Sequence, residues 1–228
     1  MDDGSLLLGI DTCGPSGSVA LGRTSGSGVE ILGQKQLAGR TYSATVITAI
    51  GELLSGARAR LDELWAIVAV SGPGSFTGVR VGLSAAKGLA EGASLPVLAV
   101  SRLAVLAFKA GVPSAALDAH RHELFLRFPG PKNERAELLA GEQELAQLRP
   151  APSRVAVCDE AAAALLASAW PAAELVKVAA PSAADALQLC APRVLAGEFS
   201  DLALLDGHYL RRSDAEIFGD PGARPPSP

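Results

Sequence analysis

One short pattern occurs twice in this chain and constrains its fold more than any other feature. Residues 6–10 form an apolar run that ends at Asp11, and residues 115–117 form another that ends at Asp118. A tight turn and a second strand-like run follow each Asp. A strand that turns tightly into a returning strand forms an antiparallel pair. The pattern therefore predicts two similar βββαβα-like halves that meet near residue 110.

The length and composition of the chain agree with this division. It has 228 residues, of which 49% are hydrophobic and 19% charged, so it can bury a substantial core. We expect an N-terminal half over residues 1–110, a C-terminal half over residues 111–219 and a disordered tail over residues 220–228. The last helix of the second half is a candidate to pack back on the first half. The Pro- and Gly-rich segment 129–135 is predicted to be a loop.

Net charge and cysteine spacing exclude several classes of protein. The formal net charge is −4, and this mild acidity argues against a protein that binds nucleic acid by itself, which usually takes a basic stripe. No apolar run is long enough to span a membrane, and the N-terminus is acidic where a signal peptide is basic. Cys13, Cys158 and Cys190 lack disulfide or zinc spacing. We therefore expect a cytoplasmic protein with idle thiols and no membrane partner.

The strand-end carboxylates are candidates for nucleotide binding. Asp11 and Thr12 lie beside glycines whose backbone amides are accessible, and Asp118 is the equivalent carboxylate of the second half. Facing each other across a cleft, the two carboxylates could hold a metal–phosphate ligand. The alternative is that each Asp accepts hydrogen bonds within its own turn.

A second glycine-rich turn, around Gly74, precedes a predicted helix. The helix N-terminus favours an anion, which makes Gly74 a further candidate for nucleotide binding. The turn is not a P-loop, because Val79 and Arg80 stand where that motif needs Lys and Ser or Thr. The alternative is an ordinary helix start capped by Ser75 or Thr77.

Two predicted helices, residues 41–55 and 79–92, are rich in apolar and small side chains. In the first, Thr45, Thr48 and Glu52 are the only strongly polar residues, although a surface helix is normally polar around half its circumference. In the second, small residues recur at every fourth position in two rows. The first row is Gly78, Gly82, Ala86 and Ala90, and the second is Ser84, Gly88 and Gly92. Each helical glycine costs about 1 kcal/mol relative to alanine, which suggests that another backbone approaches closely.

The second apolar face of the first helix has two possible partners. One is the chain's own C-terminal helix, and the other, which we favour, is another protein. The predicted partner interface comprises Ser43, Val46, Ile47, Ile50, Leu54, Gly78, Gly82, Leu83 and Ala86. Charged substitutions of Ile50 or Gly82 are expected to abolish association and leave the fold intact.

The run from Val70 to Ala90, which contains Gly-Pro-Gly-Ser-Phe-Thr-Gly, resembles the signature of the TsaB family. The segments 9–12, 117–119 and 123–125 and the sequence Tyr-Leu-Arg at 209–211 fit the same family. The resemblance implies an α/β fold: a duplicated actin/sugar kinase/Hsp70-like (ribonuclease H-like) arrangement with mixed five-stranded sheets and flanking helices. It also implies a role in forming threonylcarbamoyladenosine beside the anticodon of tRNAs that read ANN codons.

The resemblance further implies a non-catalytic subunit. The catalytic relative TsaD carries an H-x-x-x-H metal pair whose positions fall here on Arg102 and Leu106, neither of which can hold a metal there. The remaining histidines, His120, His122 and His208, lack metal-ligand spacing and are expected at the surface.

The partners that the resemblance implies are a TsaD-like catalytic subunit and a TsaE-like ATPase, with ATP and metal on those subunits and no cofactor on this chain. Transfer RNA is expected to meet the chain only indirectly, through the complex, and the isolated chain is expected to form a homodimer. Two alternatives stay open. One is an autonomous ATP-dependent enzyme, such as a small-molecule kinase, that uses Asp11 and Asp118. The other is a peptidase, although no nucleophile–base pair is evident. Tyr42 stands where many relatives carry His.

Overall fold

The computed structural model describes residues 4–39, 41–129 and 135–211. Within this part of the chain, the first half forms a five-stranded mixed sheet in the order β3-β2-β1-β4-β5. Its strands are β1 (Leu6–Asp11), β2 (Ser16–Ser25), β3 (Gly28–Ala38), β4 (Leu64–Val70) and β5 (Val97–Val100). Its helices are α1 (Tyr42–Gly56), α2 (Phe76–Ala93) and α3 (Arg102–Ala110), with a 3₁₀ turn at Leu61–Glu63.

The second half repeats this arrangement. Within the described residues its sheet has the order β10-β9-β6-β7-β8, which is the same topology read from the other edge. Its strands are β6 (Ala115–Asp118), β7 (Leu124–Pro129), β8 (Arg135–Ala140), β9 (Arg154–Val157) and β10 (Glu174–Lys177). Its helices are α4 (Glu142–Gln147), α5 (Glu160–Ala169) and α6 (Ala183–Leu195). In both halves three antiparallel strands precede two parallel ones.

This topology confirms the predicted fold class, a duplicated ribonuclease H-like unit of the actin/sugar kinase/Hsp70 type. Strand β8 begins at the end of the segment that was predicted to be a loop, and residues 130–134 of that segment lie outside the described residues. The expected tail, residues 220–228, lies outside them as well.

The burial of each strand follows from what covers it. The parallel strands β1 and β4 are apolar runs that are buried almost throughout, because helices lie on both faces of the first sheet. The edge strand β3 instead alternates half-buried and exposed residues along most of its length. None of the described helices is long and apolar enough to cross a lipid bilayer.

Helix α6 of the second half packs on the first sheet. A Cβ atom at Gly9 of β1 would lie 2.7 Å from the Ala183 carbonyl oxygen and 3.0 Å from Leu187 Cγ. The neighbouring residue of β1, Ile10, faces α2 instead, close to Gly82. Because successive strand residues point to opposite faces, α6 covers the face that α1 and α2 leave open. The C-terminal helix is therefore not the partner of α1, and that alternative is wrong.

Candidate functional site

The turn between β1 and β2 carries Asp11 and Thr12, and both side chains are used inside the chain. Asp11 is 1% exposed, and its Oδ1 accepts a hydrogen bond from the Cys13 amide at 2.8 Å. Thr12 is fully buried and donates from Oγ1 to the Gly78 carbonyl at 2.6 Å. The Asp therefore satisfies its own turn, as the structural alternative predicted, while Thr12 anchors the first turn of α2.

Arg102 extends into this turn from the start of α3. Its side chain is 6% exposed, and its Nε lies 3.7 Å from Asp11 Oδ2. The guanidinium lies against Gly14, where a Cβ atom would approach Arg102 Cζ to 2.9 Å. The Arg102 amide donates to the Gly72 carbonyl at 2.6 Å, and Ser101 caps the helix. A fixed internal cation thus lies beside the carboxylate that was predicted to bind a metal–phosphate.

The loop that contains Gly74 packs on the same turn. A Cβ atom at Gly74 would meet Cys13 Cβ at 3.0 Å, and the Ser75 amide donates to the Cys13 carbonyl at 2.8 Å. Ser75 Oγ accepts from the Gly78 amide at 3.3 Å, which confirms Ser75 as the helix cap. Since the Ser75 amide is already bonded within the chain, it is not available to a phosphate.

The turn of the second half repeats the geometry of the first. Asp118 Oδ1 accepts from the His120 amide at 2.8 Å, and Oδ2 lies 3.0 Å from His120 Nδ1. The three residues His120, Arg121 and His122 all have positive φ, at 61°, 56° and 60°. Each carboxylate thus accepts a hydrogen bond within its own turn, and the idea that the two together hold a metal–phosphate ligand stays a prediction.

A polar cluster that the sequence analysis missed is centred on Glu137. Its carboxylate, 7% exposed, accepts hydrogen bonds from Ser101 Oγ at 2.8 and 2.7 Å and pairs with Arg127. His208 Nε2 lies 2.8 Å from its Oε2. Ser71, Ser101, Glu137 and His208 line a groove of about 510 Å³. These residues are far apart in the sequence and share no motif, so no local pattern could have indicated the cluster.

The chemistry of this cluster does not support a peptidase. Burial raises the pKa of the Glu137 carboxyl, but hydrogen bonds with His208, Ser101 and Arg127 outweigh it and hold that pKa below the ordinary value. Glu137 lies between Ser101 and His208, whereas a catalytic triad places the His next to the Ser. Ser101 therefore faces a weakly basic carboxylate rather than an imidazole base.

The histidines and cysteines divide into expected and unexpected positions. The His120 side chain is 84% exposed, as predicted, whereas His208 is 39% exposed and bonded to Glu137, a contact that the sequence analysis did not predict. Cys13 and Cys190 are buried, which raises their thiol pKa values, to about 12 for Cys190. The described residues contain no group of three His, Cys, Asp or Glu side chains placed to hold a metal.

Seven of the nine predicted interface residues are buried within the chain itself, and for these the predicted interface is wrong. They are Val46, Ile50, Leu54, Gly78, Gly82, Leu83 and Ala86. Gly78 and Gly82, the first two members of the first small-residue row of α2, lie against Thr12 in the turn after β1, and a Cβ atom at Gly82 would overlap Thr12 Oγ1. A charged residue at Ile50 or Gly82 would therefore disrupt the core and not only an interface. Ser43 and Ile47 are exposed, and Ile47 is 53% exposed.

The outward side of the two packed helices forms a distinct surface, which we call the helix-pair face. It consists of Ser43, Ala44, Ile47, Thr48 and Gly51 of α1 and Arg80, Ser84, Gly88 and Gly92 of α2, all exposed. A Cβ atom at Gly51, Gly88 or Gly92 would meet nothing within 4 Å. The second small-residue row of α2 thus remains open to a partner backbone.

Tyr42 connects the start of α1 to the turn between β1 and β2. It begins α1, is 6% exposed and donates from its hydroxyl to the Gly14 carbonyl at 2.7 Å. Burial, followed by the nearby Asp11 charge, raises the pKa of Tyr42 to about 12, so the hydroxyl stays protonated as a donor. Tyr42, which stands where many relatives carry His, therefore makes a specific hydrogen bond to the turn between β1 and β2.

Comparison with known proteins gives consistent matches. The family model described as TsaD, tRNA N6-adenosine threonylcarbamoyltransferase, matches residues 31–142. The protein named tRNA threonylcarbamoyladenosine biosynthesis protein TsaB from Haemophilus influenzae is 38% identical over 125 residues, covering 52% of this chain and 51% of that protein. The Escherichia coli protein of the same name is 31% identical over 150 residues, covering 63% and 62%. The matched region thus spans about half to three fifths of the length of these curated relatives.

Solved structures extend the likeness to nearly the whole chain. A Pseudomonas aeruginosa protein described as similar to peptidase YeaZ superposes with a TM-score of 0.74 at 27% identity, covering 91% of this chain and all of that one. YeaZ from Pseudomonas aeruginosa superposes with a TM-score of 0.71 at 26% identity, covering 90% of this chain.

Proposed function

We propose that this chain, which is similar to proteins named TsaB, is a non-catalytic subunit of the complex that forms threonylcarbamoyladenosine in tRNA. In that role it binds a TsaD-like catalytic subunit and activates it, and the modified adenosine lies beside the anticodon of tRNAs that read ANN codons. The observation that carries the proposal is the 31–38% identity to proteins named TsaB.

The absence of catalysis by this chain is supported by what stands at the family's metal-pair positions. Arg102 is buried beside Asp11, and Leu106 is fully buried and apolar. Neither side chain offers a lone pair that ligates a metal ion. ATP and metal accordingly belong to the TsaD-like and TsaE-like subunits. An autonomous kinase would instead need Asp11 free to ligate a metal nucleotide.

The helix-pair face supports the choice of docking surface. Small side chains at Ala44, Gly51, Ser84 and Gly88 let another helix approach closely, and Ile47 supplies an exposed apolar anchor. The same face would join two copies of the chain when the TsaD-like subunit is absent, giving the homodimer. The TsaE-like ATPase joins the assembled pair in the cytoplasm, and tRNA meets this chain only indirectly, through the complex.

Copurification with the TsaD-like protein of the same organism tests this proposal. The informative variant is Gly88→Arg, because position 88 has open space and the chain's own fold tolerates a side chain there. The matched control is Ala164→Arg, at an exposed position on α5 of the second half. We expect Gly88→Arg to lose the partner and tRNA modification while Ala164→Arg retains both. Equal retention by the two folded variants would reject the helix-pair face, and no complex with the unmodified chain would reject the function.

A further inference from the structure

We infer that the Arg102 guanidinium occupies the position beside Asp11 where a metal–phosphate ligand would bind, and that it prevents a metal nucleotide from binding in the cleft. The inference deepens the proposed non-catalytic function and rests on it. It attributes the loss of nucleotide binding to this one side chain rather than to many substitutions spread over the cleft.

The position of the guanidinium carries the first step. Arg102 Nε lies 3.7 Å from Asp11 Oδ2, and the two side chains are 6% and 1% exposed. Both of these atoms are buried without a hydrogen-bond partner in the described residues. Asp11 Oδ1 is already used by the Cys13 amide, so Oδ2 is the remaining oxygen that a cation could contact. The guanidinium is the positive group that lies next to it.

Charge and space give the second step. A divalent cation would have to lie about 2.0–2.6 Å from the same oxygen, within a few ångströms of a fixed positive charge. Two cations cannot share one buried carboxylate without strong repulsion, because interior charges are poorly screened. The guanidinium also fills the hollow beside Gly14, where a Cβ atom would lie only 2.9 Å from Arg102 Cζ.

The anchoring of Arg102 gives the third step. It is the first residue of α3, directly after the Ser101 cap, and its amide donates to the Gly72 carbonyl at 2.6 Å. A side chain that starts from so fixed a backbone position and is 6% exposed cannot turn out to solvent without opening the core. Moving the Arg102 guanidinium away from Asp11 would therefore disturb the surrounding packing, whereas a surface arginine moves freely.

The test removes the guanidinium from the full-length chain and offers replacements. The variants are Arg102→Ala, which leaves a hollow, and Arg127→Ala as the matched control. Arg127 is also buried and paired with a carboxylate, but at Glu137 and not in the turn. Thermal unfolding is followed with millimolar guanidinium chloride or Mn²⁺ as probes, and calorimetry measures binding of Mg–ATP to each protein.

We expect Arg102→Ala to lower Tm by about 10 °C, because it leaves Asp11 buried and unpaired. Guanidinium or Mn²⁺ should restore several degrees in a saturable way, and should restore less for Arg127→Ala, because Glu137 keeps its hydrogen bonds with Ser101 and His208. The unmodified chain should give no heat with Mg–ATP. Micromolar Mg–ATP binding by the unmodified chain, or equal responses of the two alanine variants, would overturn the inference.

A second pair of variants keeps the test decisive if Arg102→Ala does not fold. Arg102→Met fills the hollow without charge, and the double variant Asp11→Asn/Arg102→Met also removes the carboxylate. We expect the double variant to regain most of the Tm that Arg102→Met loses, since a neutral amide needs no cation. No recovery would mean that Arg102 is not held there as the counter-charge of Asp11. Copurification with the TsaD-like partner is scored separately, so failure here leaves the proposed function testable on its own.

Discussion

Two isoleucines three positions apart on α1 distinguish core packing from partner binding. Ile50 is 2% exposed and Ile47 is 53% exposed. Replacing a fully buried Ile by Ala costs about 2–5 kcal/mol, and for a chain of this size each kcal/mol lowers Tm by about 2–4 °C. Ile50→Ala is therefore expected to lower Tm by about 10 °C.

Ile47→Ala is expected to act on association instead. Half of its side chain is already in water, so the folded state loses about 1 kcal/mol of burial, part of which the better helix propensity of Ala restores. The exposed half is available to a partner and is worth about 1 kcal/mol on docking, which corresponds to about a fivefold rise in Kd.

The assay pairs thermal unfolding of the isolated variants with calorimetric titration of the TsaD-like subunit. Ile47→Ala should weaken binding at nearly unchanged Tm, and Ile50→Ala should lose Tm. If Ile47→Ala lowers Tm as much as Ile50→Ala and leaves the Kd unchanged, then Ile47 belongs to the core and the helix-pair face is misassigned.

Three further outcomes are expected. Gly82→Ala should lower Tm, because the new Cβ atom would overlap Thr12 Oγ1. Gly88→Ala should instead raise the free energy of unfolding by about 0.5–1 kcal/mol, because its Cβ atom would meet nothing. Thermal unfolding of the two variants therefore distinguishes the two rows of α2. Because the pKa of Glu137 is lowered in the folded state, its carboxylate stabilises the fold fully above the ordinary pKa of 4.5, and this stabilisation is lost as the pH falls through the folded-state pKa. Below pH 4.5, Tm should therefore fall more steeply with decreasing pH for the unsubstituted protein than for Glu137→Gln. Parallel curves of Tm against pH would contradict this. Tyr42→Phe should cost about 1 kcal/mol in chemical denaturation, through loss of the hydroxyl bond to the Gly14 carbonyl, and no change would show that this bond adds nothing to stability.

Much of the fold was predictable because its signals are local. The apolar run 64–70, the Ser caps at 75 and 101 and the Asp that ends each first strand all lie where the sequence places them. Strand β8 was missed because its six residues, Arg-Ala-Glu-Leu-Leu-Ala, carry no β-branched or aromatic residue and follow a segment rich in turn formers. Its pairing with β7 supplies the hydrogen bonds that its own propensity does not favour.

The candidate site was less predictable, and the helices show why. The Gly78 row of α2 does lie close to another part of the backbone, as predicted, but periodicity cannot say which row packs within the chain and which stays exposed. Gly82 lies against Thr12, while Gly88 is open. The buried row was therefore assigned to the interface, and the exposed row was left out.

The sequence alone determined the division into two similar halves, the Asp at the end of each first strand and the Ser caps of α2 and α3, since each depends on residue type and short spacing. Only the tertiary structure decided that Arg102 neutralises Asp11, that Ser101, Glu137 and His208 converge, and which side of each helix faces water. These contacts join residues between 36 and 91 positions apart, where the pairing is set by how the two sheets and their shared helices pack and not by any neighbour along the chain.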